Sequence, residues 1–444
     1  MLNEIFKNSL FTTISKIISL TLGFASSIFF IRLLGAEGKG HLSILEASSA
    51  LIVLVSSLNL NVSIIQFVSK AKINKDKILG LSIIIFIFSI ILSIIILTVL
   101  YLLESTMVIL PNSNIIVYAG LLLLMIIVIE LKEIFSSFLK GLKFFKDLYY
   151  STLIYSIFRL FLFLILYVVH MNYNINFSVI QLIFAHILCL IVLMLSTFVF
   201  FIREVKIVPS FKISFLELKP FLRYSSVGLV VILISFLGRK SDIWIISYLL
   251  DTRELGYYAV AVTLGDLVLQ IPMTLKNVLF PYLSSSKSSF ERKKLLAMFS
   301  RFNATIILMI ISFLIISSHI LIPFMYGKEF VNSIVPFQIF IIGIGFIGFK
   351  EFFQIYNMSI EKQNVNIWSN MLGLFLLVSL NFILIPLYGI KGASLAAMLS
   401  FAVSTIFIYY RMTYLKILPH QNYFFITLSD FKKIMIFLKS RIKS

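Results

Sequence analysis

A chain of 444 residues that is 60% hydrophobic and only 13% charged has too few polar side chains to cover a soluble domain. Soluble domains of this kind use charged residues at about a quarter of their positions. Its mean hydropathy is +1.05, so lipid is expected to solvate most of its surface. The net charge of +19 would suit nucleic-acid binding. The basic residues stand in short loops between apolar runs, however, which excludes nucleic acid as a partner.

Twelve apolar runs are long enough to cross a membrane, since one span needs about 20 apolar residues. No small-residue cleavage site follows the first run, so a span is expected there and not a signal peptide. The sequence thus predicts an all-α membrane protein with about twelve transmembrane helices. In chain order, the predicted spans are 10–34, 42–66, 78–103, 115–138, 149–170, 178–202, 221–250, 256–283, 297–325, 334–357, 366–387 and 390–412.

Positive charge alternates from loop to loop along the chain. The loops after spans two, four, six and eight are rich in Lys and Arg, whereas the loops between them are nearly neutral. Cytoplasmic loops carry the excess of Lys and Arg in membrane proteins, so both termini are predicted to be cytoplasmic. No loop on either side is long enough to fold as a separate domain.

The chain matches itself at an offset of 216 residues, which shifts to 218 in spans four and ten. Apolar strings share Leu and Ile by chance, but chance does not account for matched Gly, Asn and Lys-Glu pairs. The matches include Gly40 with Gly256, Asn61 with Asn277, Lys77 with Lys293, and Lys132-Glu133 with Lys350-Glu351. Two parallel six-helix repeats are therefore predicted, with a substrate path at their interface. The predicted organisation is a six-helix bundle 1–202, a cytoplasmic linker 203–220, a second bundle 221–413 and a basic tail 414–444.

Charged residues inside the spans are the candidate functional residues, because a charge at mid-bilayer costs about 2.5–3.5 kcal/mol on insertion scales. Span seven carries Arg239, Lys240 and Asp242 near its centre. Arg239 and Asp242 are three residues apart, so an ion pair on one helix face is one interpretation. That pair would leave Lys240 unmatched. A cationic role facing the lumen is the alternative that we favour.

A polar stripe runs along span eight, where five polar residues fall within about 80° of one another at 100° per residue. A thinner stripe in span two and the cations of span one suggest that spans one, two, seven and eight form the walls of a polar cavity. The predicted cavity cations are Lys16, Arg32, Arg159, Arg239 and Lys240. The predicted polar or ion-coupling residues are Glu46, Asn61, Asp242, Asp266, Gln270 and Asn277.

A second set of charges lies toward the inner ends of spans four and ten. These residues are interpreted either as structural gates between the halves or as substrate ligands. They are Glu130, Lys132, Glu133, Lys350 and Glu351. Pro272 is expected to interrupt span eight beside its polar stripe.

No cofactor or metal site is predicted. Gly343, Gly345 and Gly348 satisfy a dinucleotide pattern, but they lie in an apolar span with no strand before them. Close helix packing is the expected role of these glycines. Cys189 is the single cysteine and is expected to be a buried thiol. In the tail, apolar residues at helical spacing from Leu428 to Ile442, with lysines between them, suggest an amphipathic helix on the inner leaflet; a tail without stable structure is the alternative.

Several motifs, in this order and spacing, resemble the bacterial flippases of polysaccharide repeat units (O-antigen and capsule exporters). The resemblance covers essentially the whole chain. The motifs are Arg32-Leu-Leu-Gly35 with Gly38 and Gly40, Asp242-Ile-Trp-Ile-Ile, Glu254-Leu-Gly-Tyr-Tyr-Ala259, Pro281, Phe324-Met-Tyr-Gly-Lys-Glu-Phe330, and Asn381-Phe-Ile-Leu-Ile-Pro-Leu-Tyr-Gly-Ile-Lys-Gly-Ala393.

The resemblance implies a MATE-like transporter of the MOP superfamily, with two bundles forming a V and alternating access to a central cavity. It also implies the cytoplasmic (inner) membrane of a bacterium and an undecaprenyl-pyrophosphate-linked oligosaccharide as substrate. The cavity cations would bind the pyrophosphate, and Asp242 or Asp266 would hold a coupling H⁺ or Na⁺. Membrane lipid and polysaccharide polymerase machinery are the expected partners.

Three alternatives to this function are weighed. One is a flippase of another lipid-linked precursor. A MATE-like exporter of small organic cations would need a net acidic cavity. A membrane-embedded polymerase or ligase would need a long external loop.

Overall fold

The computed structural model describes residues 2–70, 74–102, 110–111, 114–212, 215–286 and 288–415. Within these ranges the regular elements are all helical, because long apolar segments in lipid must satisfy their own backbone groups. A 3-10 helix, Lys328–Ser333, precedes α10. The predicted tail helix 428–442 lies outside the described residues. The α-helices are α1 Leu2–Ser56, α2 Leu60–Ser69, α3 Lys75–Leu102, α4 Ile115–Gly141, α5 Phe145–Tyr173, α6 Val179–Glu204, α7 Phe215–Leu249, α8 Thr252–Ser285, α9 Ser289–Tyr326, α10 Ile334–Ser359 and α11 Asn364–Tyr414.

Over the described residues, ten helical segments are long and apolar enough to cross a membrane. Two of them, α1 and α11, are too long for one crossing. The 51 residues of α11, for example, would extend about 77 Å, whereas the hydrocarbon core is about 30 Å thick. Both are kinked at a glycine with positive φ, Gly35 in α1 (φ 65°) and Gly389 in α11 (φ 59°). Each therefore supplies two crossings, which agrees with the predicted total of about twelve and confirms an all-α membrane protein.

The chain reverses direction at the kink in α11. A Cβ atom built on Gly392 would lie 2.0 Å from the carbonyl oxygen of Leu384. Residues eight apart in a straight helix are separated by about 12 Å. The two limbs therefore fold back on each other, at the boundary predicted between spans eleven and twelve.

Spans two and eight differ from their predictions. Span two was predicted to be continuous from 42 to 66, but the helix stops at Ser56 and resumes at Leu60. Leu58 and Asn59 between them have positive φ. The apolar run therefore continues through these residues, but the helical backbone conformation does not. Span eight, by contrast, is not interrupted: α8 continues through Pro272 as one helix.

The outward side of α3 has the composition of a lipid-facing surface. Ile84, Phe88, Ile91 and Ile95 share one helix face and are all exposed, whereas the serines of the same helix are buried. An exposed apolar face of this size would be an aggregation hazard in water. It is the expected surface of a helix against hydrocarbon.

The chain divides into two compact units. The first comprises Met1–Phe236 with Asp251–Gly256, and the second comprises Leu237–Leu250 with Tyr257–Ser444. One hydrophobic core of the first unit lies mainly among α1, α4, α5 and α6 and includes Phe30, Leu122 and Phe163. The second has a core among α8 to α11 that includes Leu279 and Phe352. The predicted bundles 1–202 and 221–413 are based on the internal repeat, and these boundaries remain a prediction.

In the first unit, the segment after α6 docks on the start of α3. The backbone N–H of Ser210 donates to the carbonyl oxygen of Asp76 at 2.9 Å, and that of Val208 donates to Asp76 Oδ1 at 3.2 Å. Gly80 allows the close approach, since a Cβ there would lie 2.1 Å from the carbonyl oxygen of Ser210. Asp76 thus accepts two hydrogen bonds from the linker backbone.

The first unit also contains a close helix crossing related to the repeat. A Cβ on Gly40 would lie 1.8 Å from the carbonyl oxygen of Thr252, and a Cβ on Gly256 would lie 1.7 Å from that of Ala36. Adding the offset of 216 to 36 and 40 gives 252 and 256, so the two contacts are reciprocal. Small residues four apart on each helix let the backbones meet, as is common between transmembrane helices.

Candidate functional site

Arg159 of α5 is held by aromatic rings. Its guanidinium carbon lies 5.8 Å from the ring centroid of Phe30 and 5.9 Å from those of Tyr155 and Phe163, within the range of a cation–π interaction. Nη1 donates to the hydroxyl of Tyr155 at 3.2 Å. Nε is buried and has no hydrogen-bond partner among the described residues. Arg159 forms no ion pair with a carboxylate among the described residues, and aromatic rings stabilise its charge instead.

A carboxylate and an imidazole lie at the same aromatic cluster. His186 of α6 stacks on Phe30, with ring centroids 5.5 Å apart, and its Nε2 lies 3.4 Å from Oε1 of Glu46. The Glu46 side chain is 44% exposed, whereas that of His186 is 5% exposed. Glu46 is therefore partly exposed, whereas its partner is fixed in the core. Sequence reasoning missed His186, because its partner is 140 residues away.

The other cavity residues predicted for the first unit are dispersed. Arg32 is exposed and donates from Nη1 to the hydroxyl of Tyr167 at 3.0 Å. Lys16 is exposed on α1, 16 residues earlier, which is about 24 Å along the helix. Asn61 is half-buried on α2, beyond the break in span two. The structure therefore brings Glu46 and Arg159 to the same aromatic cluster, with Lys16 far from it.

The acidic residues of α4 have different surroundings. Glu130 is buried and accepts a hydrogen bond from Ser89 Oγ at 2.6 Å. Glu133 lies 2.5 Å from Lys132 Nζ and 3.8 Å from Lys140 Nζ. Glu130 is thus enclosed between helices, whereas Glu133 and Lys132 form a half-buried ion pair within one helix. Both candidate roles, gate and ligand, stay open.

In the second unit, Lys240 pairs with Asp266. Lys240 Nζ of α7 lies 3.4 Å from Asp266 Oδ2 of α8, and the two side chains are 32% and 46% exposed. A partly exposed pair at this distance is weakly held, since solvent screens it. Arg239, the adjacent cation, is exposed and has no hydrogen bond or ion pair with any residue that the structure describes.

Asp242 is enclosed and does not pair with Arg239. It accepts a hydrogen bond from the hydroxyl of Tyr258 and another from the backbone N–H of Ile243 at 2.9 Å. Its side chain is buried, and the tyrosine is entirely so. The predicted ion pair between Arg239 and Asp242 is therefore not found among the described contacts. Lys240 has a carboxylate partner, so the cation without one among the described residues is Arg239.

The polar stripe of α8 is partly exposed. Gln270 is half-buried and Asn277 is exposed. Thr263 and Thr274 donate to the carbonyl oxygens of Ala259 and Gln270 in their own helix, so their hydroxyls retain acceptor capacity.

The predicted Lys-Glu pair of α10 is divided between two partners. Glu351 forms an ion pair with Lys276 of α8, and Lys350 Nζ donates to Ser404 Oγ of α11 at 3.1 Å. Sequence reasoning missed Lys276, although a lysine one residue before Asn277 in an apolar span was a signal for it. These contacts tie α8, α10 and α11 together.

The glycines of α10 that satisfy the dinucleotide pattern lie at close helix contacts, as predicted. A Cβ on Gly343 would lie 2.9 Å from Met398 Cα, and one on Gly345 would lie 2.9 Å from Ile311 Cδ1. Cys189 is a buried free thiol. Within the described residues, no group of three or more His, Cys, Asp or Glu side chains is arranged to hold a metal ion.

Ten apolar helices with charged residues inside them define a multi-pass membrane protein, and the comparisons with known proteins give its family. Residues 5–287, more than half of the chain, match the family of polysaccharide biosynthesis proteins. The chain belongs to that family. No match was found among curated proteins.

Solved structures share the fold. The chain is similar to the lipid II flippase MurJ in an inward closed conformation, with 17% identity, a TM-score of 0.72, and coverage of 97% of this chain and 93% of that one. It is similar to an inward-facing multidrug resistance MATE transporter of the MOP superfamily, with 14% identity, a TM-score of 0.68, and coverage of 90% and 95%. A third is a MOP superfamily transporter from Pyrococcus furiosus with a binding pocket of reversed polarity, with 15% identity, a TM-score of 0.56, and coverage of 91% and 96%. The predicted MATE-like fold is confirmed.

Proposed function

We propose that this protein moves an undecaprenyl-pyrophosphate-linked oligosaccharide from the inner to the outer leaflet of a bacterial cytoplasmic membrane, for assembly of a surface polysaccharide. Its family membership supports a role in polysaccharide biosynthesis. Its fold supports transport of a lipid-linked substrate, since MurJ is a lipid II flippase. Alternating access driven by H⁺ or Na⁺ completes the proposal.

The observation that carries the proposal is Arg239, which is exposed and unpaired among the described residues and stands beside the Lys240–Asp266 pair. A pyrophosphate is a compact anion that binds guanidinium groups through charge-assisted, bidentate hydrogen bonds. A guanidinium without a carboxylate partner inside a membrane span costs free energy. Binding an anionic substrate would offset that cost. Arg159, which is held by aromatic rings, offers a second available guanidinium.

Replacing Arg239 tests this function. We expect Arg239→Ala to reduce delivery of surface polysaccharide by about tenfold or more, which corresponds to a loss of 1.4 kcal/mol or more in substrate stabilisation. Arg239→Lys should retain part of the activity, because the charge remains while the bidentate geometry is lost. The measurement is polymer on the surface of cells that lack the native gene.

Lys294→Ala is the matched control, since it removes an exposed cation from the first turns of α9 without touching α7. Protein levels in the membrane must be equal for all variants. Normal polymer with Arg239→Ala at native protein level would remove Arg239 from substrate binding.

A MATE-like exporter of small cations is the second candidate. It is favoured by the two partly exposed carboxylates, Glu46 and Asp266, which would attract an organic cation. Resistance of expressing cells to cationic dyes, together with normal polymer in cells without the gene, would favour this candidate over the flippase.

A further inference from the structure

A basic pocket lies in the second unit, where α8 leads into α9, α10 leads into α11, and α11 ends. We call it the helix-end pocket. Its volume is about 180 Å³, roughly six times the share of liquid volume of one water molecule. Among the described residues, three of those lining it are cations, Arg292, Lys293 and Lys362, and none is acidic.

Among the described residues, the three cations have no counter-ion. None of them forms an ion pair with a residue in the part of the chain that the structure describes, and Arg292 Nε is buried without a hydrogen-bond partner. The acid next to Arg292 in sequence, Glu291, is exposed and accepts a hydrogen bond from Ser286 at 3.2 Å. Three like charges around one small pocket repel each other, so an anion between them would stabilise the arrangement.

Local backbone structure fixes where these cations stand. Arg292 ends the first turn of α9 and Lys293 begins the second, close to the helix N-terminus, where the helix dipole also favours negative charge. Lys362 follows α10 in a Schellman motif: its N–H donates to the carbonyl oxygen of Asn357 at 2.9 Å, and Glu361, at φ 59°, donates to that of Met358 at 3.3 Å. Lys362 is thus held at the pocket by a defined turn.

The repeat shows that this pocket is special to the second unit. Position 292 corresponds to position 76 at the offset of 216, so Arg292 replaces Asp76. In the first unit, Asp76 accepts the backbone N–H groups of Val208 and Ser210. An arginine side chain has only donors, so Arg292 cannot accept the equivalent hydrogen bonds. Its own N–H groups need an acceptor instead. The 29 residues after Leu415 carry six Lys and Arg against one Asp, so their charge does not complement the pocket.

We propose that the helix-end pocket binds the phosphate group of an anionic membrane lipid. The predicted spans end at 283, 357 and 412, and span nine begins at 297, so the helix ends that form the pocket are predicted to share one membrane face. Basic pockets between transmembrane helices on the cytoplasmic side bind phosphate headgroups. Arg292 and the two lysines supply donors to the phosphate oxygens, and the hydroxyl of Ser289 lines the same pocket. The site involves none of the predicted cavity residues, so it does not depend on the proposed transport function.

The test uses the full-length protein in nanodiscs of phosphatidylcholine with increasing phosphatidylglycerol, with bound lipid measured by native mass spectrometry and Tm in parallel. Lys293→Ala is compared with Lys294→Ala, because the two remove the same charge from adjacent positions and only Lys293 lines the pocket. We expect Lys293→Ala to weaken phosphatidylglycerol binding about five-fold, and Lys294→Ala to leave it unchanged. Lys362→Ala, on a different segment, should reproduce the effect if Lys293→Ala folds poorly.

A further arm adds inorganic phosphate to phosphatidylcholine nanodiscs. A rise in Tm that Lys293→Ala abolishes and Lys294→Ala retains would support the phosphate site and assign it to a soluble source. Equal behaviour of Lys293→Ala and Lys294→Ala, or the absence of any response to both probes, would overturn the proposal. Reduced Tm of Lys293→Ala in phosphatidylcholine alone, with phosphatidylglycerol binding intact, would also overturn it.

Discussion

The carboxylates inside the spans fall into two classes by their surroundings. Asp242 and Glu130 are buried and accept hydrogen bonds from a tyrosine and a serine. Asp266 and Glu46 are about half exposed, beside a lysine and a histidine. A coupling ion must enter and leave from water, so the exposed class is better suited to that role. Asp266 is the stronger candidate because its pair with Lys240 can exchange for an ion.

Asp266→Asn is therefore expected to remove most of the dependence of transport on an H⁺ or Na⁺ gradient, with a decrease of about tenfold in the gradient-driven rate, equivalent to 1.4 kcal/mol. The measurement is flipping of a lipid-linked oligosaccharide in vesicles with imposed gradients. Asp251→Asn is the control: Asp251 accepts the N–H of Glu254 at the start of α8, and Asn caps a helix equally well. Unchanged ion dependence of Asp266→Asn would exclude this carboxylate from coupling.

The sequence predicted which residues carry charge inside the membrane but not how they pair. Arg239, Lys240 and Asp266 stood out because a charge in an apolar run is conspicuous. The contacts of Asp242 with Tyr258 and of Glu46 with His186 join different helices. Periodicity on one helix reports only which face a residue occupies, so partners from other helices could not be deduced.

At the scale of helices, glycine determines the close approaches. Gly40 and Gly256 stand where any side chain would collide with a backbone carbonyl group, and backbone cannot move aside as a flexible side chain can. The sequence indicated these positions as matched residues of the repeat and as members of motifs that resemble a family. Their contact partners, Ala36 and Thr252, required the structure.

Gly256→Ala is expected to destabilise the folded protein by about 1–3 kcal/mol, the usual cost of overpacking. The measurement is Tm in detergent, with yield of folded protein as a second readout. Gly120→Ala is the control, because nothing lies within 4 Å of a Cβ added there and alanine favours a helix more than glycine does. A Gly256→Ala protein as stable as the Gly120→Ala protein would contradict the close crossing.

At the scale of the whole chain, the internal repeat extends to details of the turns. α4 and α10 both end in a Schellman motif, with Lys143 and Glu361 in the left-handed conformation at φ 68° and 59°. Adding the offset of 218 to 143 gives 361. Neither residue is a glycine, so sequence motifs for helix ends did not reveal the turns. The match in backbone conformation supports the repeat independently of side-chain identity.

Parallel repeats place equivalent loops on one side of the membrane. Lys146 and Asn364 are equivalent at the offset of 218 and both are exposed, and Asn176 is exposed at the opposite end of α5. In intact cells, a membrane-impermeant maleimide is expected to label Asn176→Cys but not Lys146→Cys or Asn364→Cys, which should be labelled only after lysis. The buried Cys189 supplies an unreactive background.

Labelling of Lys146→Cys in intact cells would reverse the predicted orientation, and different behaviour of Lys146→Cys and Asn364→Cys would contradict the parallel repeat. The distribution of basic loops predicts this orientation, and the labelling experiment tests it. The break between α1 and α2 was not, because both flanking segments are apolar and only the backbone at Leu58 and Asn59 departs from the helix.

The reversal at Gly389 has a consequence for how the chain enters the membrane. The first limb of α11 carries Asn381, which is buried and whose side-chain amide has no partner among the described residues. Since an amide in hydrocarbon is costly, this limb is poorly suited to partition into lipid alone. The close approach of Gly392 to the backbone of Leu384 shows that the two limbs pack against each other next to the reversal. The last two spans are therefore expected to leave the translocon together, as a preassembled hairpin.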